Sequence, residues 1–137
     1  MSAKTDWILV DPETRKILRP SSFTAKPILE SDRPLDCPDP KKVAPPREGL
    51  EALGTRRVRW SDLDGNGHLY SGNYGDIIWD ALPEDLQART PREFYINYSR
   101  EAVLGDVLRL GGCRREEGYF VEALGPHGAC FTALCVF

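Results

Sequence analysis

Between Arg59 and Tyr70 the chain places Asp62, Asp64, Asn66 and His68 within seven residues, interleaved with Gly65 and Gly67. A carboxylate can take a proton from water. An imidazole can orient that carboxylate or pass a proton onward, and an amide can hold developing negative charge, so the set suits hydrolysis. The two glycines permit positive-φ backbone and leave room for a ligand to approach. In an extended loop, alternation points Asp64, Asn66 and His68 the same way. Backbone N–H groups at the start of a following helix would polarise a carbonyl oxygen.

Two other readings compete for the same loop. The first is a polar turn whose Asp and Asn side chains satisfy local backbone groups. The second is calcium binding, because Asp62, Asp64, Gly65 and Asn66 match the opening of an EF-hand loop. The twelfth position of that loop is Asn73, not the bidentate Glu that closes such a site. The approach from Thr55 to Trp60 reads as strand, and no second loop pairs with it.

The elements around the loop follow from periodicity. Val58, Arg59 and Trp60 begin a short strand that runs into it. A helix is expected over about 73–82, where Tyr74, Ile77, Ile78, Ala81 and Leu82 fall on one face. Pro83 ends it or opens a second short turn to Leu86. Tyr74, Ile77 and Ile78 are core candidates that can also line a ligand site. Phe94, Ile96 and Tyr98 then alternate with Tyr95, Asn97 and Ser99, as in a strand. Further strand-like runs cover Val107 to Gly111, Tyr119 to Leu124 and Cys130 to Phe137, with short turns that make a meander. A single helix and an antiparallel sheet must bury their apolar faces against each other. The simplest solution is an α+β fold with the sheet curled around the helix, the hotdog arrangement.

Upstream, 1–19 looks hairpin-like, with Trp7 to Val10, a turn at Asp11 to Thr14, and Arg15 to Leu18. The span 20–48 holds Pro20, Pro27, Pro34, Pro38, Pro40, Pro45 and Pro46, seven of the eleven prolines, and reads as an extended linker. The compact domain is expected over 49–137.

Composition narrows the class. With 137 residues, 41% hydrophobic and 28% charged, the chain is an ordinary globular domain. A net charge of -3 argues against nucleic acid, since no basic surplus is there to displace counterions. No apolar run approaches a membrane span, and the first twenty residues lack the pattern of a signal peptide. Cys37, Cys113, Cys130 and Cys135 form no C-x-x-C pair, so no zinc site and no cofactor is expected. Cys130 and Cys135 read as buried, reduced thiols, which fits a cytoplasmic protein.

The run Arg59, Trp60, Ser61, Asp62, Leu63, Asp64, Asn66, Gly67 and His68, with Tyr74 and Trp79 beyond it, resembles the acyl-ACP thioesterases. It is similar to the second hotdog domain of that family, whose motif is D-L-D-x-N-x-H before the long helix. Downstream, Asn97 to Glu101 resembles the family's strand ending, and Gly105, Asp106 and Val107 its following turn. Trp7 to Asp11 with Thr14 and Arg15 resembles the end of the first hotdog domain and the linker after it. The resemblance implies hydrolysis of fatty acyl-acyl carrier protein, with Asp64, Asn66, His68 and Glu101 as the catalytic set. In that set Glu101 or Asp64 would activate water or attack directly, and His68 would orient that group or donate a proton to the leaving sulfur, with these alternatives open. Tyr70 and Ser71 stand where many members have paired asparagines. Ala102 stands where plant members have Cys, so a Cys–His mechanism is not available there. Arg56, Arg57 and Arg59 form a basic run suited to the acidic carrier protein. Full-length members carry two hotdogs, so one alone is expected to form a homodimer. The alternatives are a single-hotdog acyl-CoA thioesterase and a non-catalytic acyl- or calcium-binding module.

Overall fold

The computed structural model describes residues 3–6, 8–11, 13–14, 16–19, 21 and 36–137. From the hairpin reading, Trp7, Pro12 and Arg15 lie outside the described residues, as do 20 and 22–35 of the proline-rich span. The chain divides into two compact units, Met1–Lys41 and Lys42–Phe137.

In the first unit, Val10 and Ile17 form an antiparallel bridge. The Asp11 and Leu18 amides donate to the Lys16 and Leu9 carbonyls at 2.9 and 2.8 Å. Asp11 makes the turn, because its Oδ1 accepts the Thr14 amide at 2.6 Å and the Thr14 hydroxyl at 2.8 Å. Those bonds hold its carboxyl below the usual range.

The second unit carries five strands: β1 (Glu51–Arg57), β2 (Glu93–Tyr98), β3 (Val107–Arg115), β4 (Gly118–Gly125) and β5 (Gly128–Val136). They form one antiparallel sheet in the order β1-β3-β4-β5-β2. β3, β4 and β5 are the expected meander. β2 does not join it next to β3; it pairs with β5 at the far edge. The helices are α1 (Asn73–Asp80) and α2 (Glu84–Gln87). Pro83 stands between them, where it cannot continue a helix.

The apolar stripe of α1 decides the packing. Tyr74, Ile77 and Ile78 are buried, and they cluster with Val121, Ala123, Phe131, Ala133 and Cys135 from one face of β4 and β5. Alternation sends Phe120, Leu134 and Val136 to the other face. There Val43 closes over them. Its amide donates to Asn97 Oδ1 at 2.5 Å, and its carbonyl accepts the Thr132 hydroxyl at 2.8 Å. Arg115 reaches the Ala44 carbonyl at 2.7 Å while its guanidinium lies 4.3 Å from the Phe120 ring centroid. The compact unit therefore begins at Lys42, several residues before its first strand.

Two sequence expectations need correction. Val58, Arg59 and Trp60 do not begin the first strand. β1 precedes them, and Trp60–Asp62 is a 3-10 turn. β1 carries almost no apolar alternation, and pairing with β3 rather than its own pattern makes it a strand. The sequence also reads Trp60 and Trp79 as packing residues, but Trp60 is 77% exposed. Trp79 does pack against the core.

Cys130 and Cys135 are buried thiols, and burial pushes Cys135 up to about 11. Glu122 is 9% exposed, on the face that Val43 covers, and burial raises its carboxyl. Its folded pKa then exceeds the unfolded value. Stability from this residue is highest in acid and falls as pH rises from the unfolded pKa through the folded one. Glu122→Gln is expected to melt several degrees above the parent at neutral pH and level with it in mild acid, as scanning calorimetry would record. Ile78, wholly buried, should cost about 2–5 kcal/mol on replacement by Ala, read from denaturant midpoints.

Candidate active site

The chemistry-bearing loop is a tight turn, not an extended run. Leu63 and Leu69 bridge antiparallel across it. The Asp64 amide donates to the His68 carbonyl at 2.8 Å, and the Gly67 amide to the Asp64 carbonyl at 3.1 Å. Gly67 has φ +79, a conformation that L side chains rarely adopt. Asp64 Oδ1 accepts two more amides, from Asn66 at 2.8 Å and His68 at 3.1 Å. The alternation expected of Asp64, Asn66 and His68 therefore does not occur. Asp64 turns inward to hold the loop, and Asn66 stands at the exposed tip.

The base of the loop is fixed by Asp62, which is 7% exposed. Its Oδ1 accepts from the Arg56 guanidinium at 2.8 Å and its Oδ2 from the Arg59 amide at 2.7 Å. Its carbonyl accepts the Tyr70 amide at 2.8 Å and the Asn73 side-chain amide at 3.1 Å. Arg56 is thus committed inside the domain, whereas Arg57 and Arg59 are exposed. Sequence reasoning missed this pairing. The two residues lie on different elements six positions apart, and no periodicity links them.

The segment after β2 brings in the second carboxylate. The Leu69 amide donates to the Ala102 carbonyl at 2.8 Å, and His68 bridges Val103. These backbone links draw Glu101 beside the loop. His68 Nε2 and Glu101 Oε2 are 3.4 Å apart, with the imidazole 30% and the carboxylate 51% exposed. Water can reach both. The structure thus brings His68 and Glu101 together, with Asn66 and Asp64 in the same turn.

Tyr74 lies under this region. Its ring meets Tyr98 and Phe131 edge to face, at 5.2 and 5.4 Å between centroids. Burial pushes its phenol up to about 12, so it is neutral and can donate a hydrogen bond. Ile77 and Ile78 sit in the core below. His127 is exposed in the β4–β5 turn, away from any strand pairing. Among the described residues, no cluster of three or more His, Cys, Asp or Glu side chains is placed to hold a metal ion.

The model of the acyl-ACP thioesterase C-terminal domain matches residues 51–121, a little over half the chain and all of the loop together with Glu101. The chain belongs to the acyl-ACP thioesterase C-terminal domain family. Solved structures agree on the hotdog fold. An acyl-ACP thioesterase from Bacteroides thetaiotaomicron superposes with a TM-score of 0.70 at 25% identity, covering 93% of this chain and 52% of that one. A protein from Lactobacillus plantarum described as an oleoyl thioesterase gives 0.60 at 15% identity, covering 94% and 52%. A Staphylococcus aureus protein in complex with CoA gives 0.54 at 20% identity, covering 64% and 78%. This acyl-ACP thioesterase-family chain spans about half the length of the first and second of these. No curated protein sequence matches it.

The geometry also speaks to the calcium reading of the family loop. Asp62 faces a guanidinium and Asp64 faces two amides, so the carboxylates of the EF-hand-like pattern do not converge. Calorimetric titration with calcium is expected to show no saturable heat. A binding isotherm that Asp64→Asn abolished would contradict this arrangement.

Proposed function

We propose that this chain is the thioester-hydrolysing domain of an acyl-ACP thioesterase, releasing free fatty acid from fatty acyl-acyl carrier protein in fatty acid synthesis. One observation carries the reading: an imidazole and a half-exposed carboxylate 3.4 Å apart, beside a turn that ends in an exposed amide side chain.

A thioester carbonyl is electrophilic and its thiolate leaves readily. Hydrolysis therefore needs an activated water and a site for the oxyanion. Glu101 takes the proton as the water oxygen bonds to the carbonyl carbon. His68 orients the carboxylate, and Asn66 with nearby backbone amides receives the carbonyl oxygen. When the C–S bond breaks, the proton held by the Glu101–His68 pair passes to the sulfur. Of the two carboxylates, Glu101 suits the base, because Asp64 already spends Oδ1 on two amides. Tyr74, Ile77 and Ile78 are buried, so they would back an acyl chain from the core beneath the site rather than offer it an open surface.

The partner would be acyl carrier protein, met by Arg57, Arg59 and neighbouring basic residues. The edge strand β2 exposes Phe94 at 43% and Tyr98 at 54%, with Val103 and Leu104 beyond it. A second copy would cover that edge, giving a homodimer. Among the described residues, no helix is long and apolar enough to cross a membrane. The buried thiols suit a cytoplasmic setting.

Glu101→Gln and His68→Ala are each expected to lower kcat on fatty acyl-ACP by about 10²–10⁴-fold. Asp64→Asn, which keeps an acceptor for the two amides, should retain most of the activity. Normal turnover by both Glu101→Gln and His68→Ala would end the reading. Faster cleavage of acyl-CoA than of acyl-ACP, assayed side by side, would move the substrate to the acyl-CoA class. Sedimentation at micromolar concentration should give a dimer, and a purely monomeric profile would count against the pairing through β2.

A further inference from the structure

The carboxylate of Asp62 and the guanidinium of Arg56 take no part in the hydrolysis just described. We propose that they are positioning residues: together they set the distance between His68 and Glu101. The inference rests on the proposed function for its kinetic consequence, but its geometry stands separately.

Asp62 is the junction of four chain segments. Through Oδ1 it holds Arg56 at the end of β1, and through Oδ2 the amide of Arg59 where the chain leaves that strand. Its carbonyl holds the Tyr70 amide, just past the turn, and the Asn73 side chain, the first residue of α1. Both ends of the Asp64–His68 turn are therefore tied to one residue. β1 in turn is registered on β3, with Arg56 opposite Leu108. β3 begins at Val107, only a few residues after Glu101. The turn bearing the imidazole and the segment bearing the carboxylate are thus both referenced to β3, one through β1 and the other through the chain that leads into it.

Charge makes the tie strong. A carboxylate 7% exposed must be compensated, and the guanidinium does so directly. Removing the guanidinium leaves the buried carboxylate without its complement, and removing the carboxylate leaves the Arg56 and Arg59 donors without their acceptor. The main-chain carbonyl bonds to Tyr70 and Asn73 stay, so the turn keeps its shape but loses its tie to β1 and shifts as a unit. A misplacement of about 1 Å of a catalytic group costs as much as 10²-fold in rate.

The test compares Asp62→Asn, Arg56→Gln and Arg56→Lys with the parent chain. Turnover is measured on the fatty acyl-ACP that the parent cleaves best. Ring signals of the two histidines are followed by NMR, and melting temperature is recorded. Asp62→Asn and Arg56→Gln are expected to lower kcat by about 10- to 100-fold with KM little changed. They should move the His68 ring signals and leave those of His127, remote in its turn, in place. Arg56→Lys, which keeps the cation, should restore part of the rate and bring the His68 signals back toward the parent positions. If Asp62→Asn fails to fold, Arg56→Gln decides alone, since the Arg56 side chain is one-third exposed (34%) and less costly to change. Parent-like kcat and unmoved His68 signals in folded variants would overturn the proposal. If the parent cleaves no thioester yet the His68 signals move, the proposed function fails and the positioning role survives.

Discussion

The site depends on one backbone interaction. The Leu69 amide donates to the Ala102 carbonyl, and next to it His68 bridges Val103. These are ordinary antiparallel links, worth about 0.5–1.5 kcal/mol each in net terms. Their importance lies in what they join. One side is the turn that carries Asp64, Asn66 and His68. The other is the segment between β2 and β3 that carries Glu101. The residues meet although more than thirty positions of sequence, both helices and the whole of β2 lie between them. Side-chain attraction across 3.4 Å, between groups partly open to water, is too screened to bring the segments together. The backbone does that, and the imidazole and carboxylate inherit their closeness.

Much of this was legible in sequence where a strong period or a stop residue spoke. The α1 stripe of Tyr74, Ile77 and Ile78 reads directly, because three apolar residues at helical spacing have one face to bury. Pro83 reads as a terminator for want of an amide hydrogen. β3, β4 and β5 read from alternation and from the glycines between them. β1 did not, because an edge strand with exposed side chains carries no pattern of its own and takes its state from β3. Nor did the place of β2, since local sequence says nothing of which neighbour a strand will choose.

Which of the candidate residues lie near one another was more legible than how they are arranged. Residue types and spacing pointed to Asp64, Asn66 and His68, and family resemblance to Glu101. What each of them bonds to was hidden. Two glycines and an aspartate permit either an extended loop or a tight turn, and Asp64 Oδ1 chooses the turn by accepting two amides. Asp62 looked like a ligand and proves to be an internal counter-ion, because a cation on the preceding strand lies within reach. A motif of acidic residues records only that acceptors are required. Whether they serve water, metal or main chain is decided by what folds against them.

Val43 and Ala44 carry a last consequence. Their carbonyls and the Val43 amide are satisfied by side chains from β2, β3 and β5, so the segment crosses the sheet as a sash rather than as another strand. A sash held by side chains has no ladder to slide along, and each knot fixes its position along the sheet. Evolution can lengthen or shorten the chain before Lys42 without disturbing that grip. The same freedom does not extend to the few residues between the sash and β1, which must span a set gap. Diversity in the spacing of such proteins should gather upstream of the knots, leaving the end of the molecule that holds His68 and Glu101 in register.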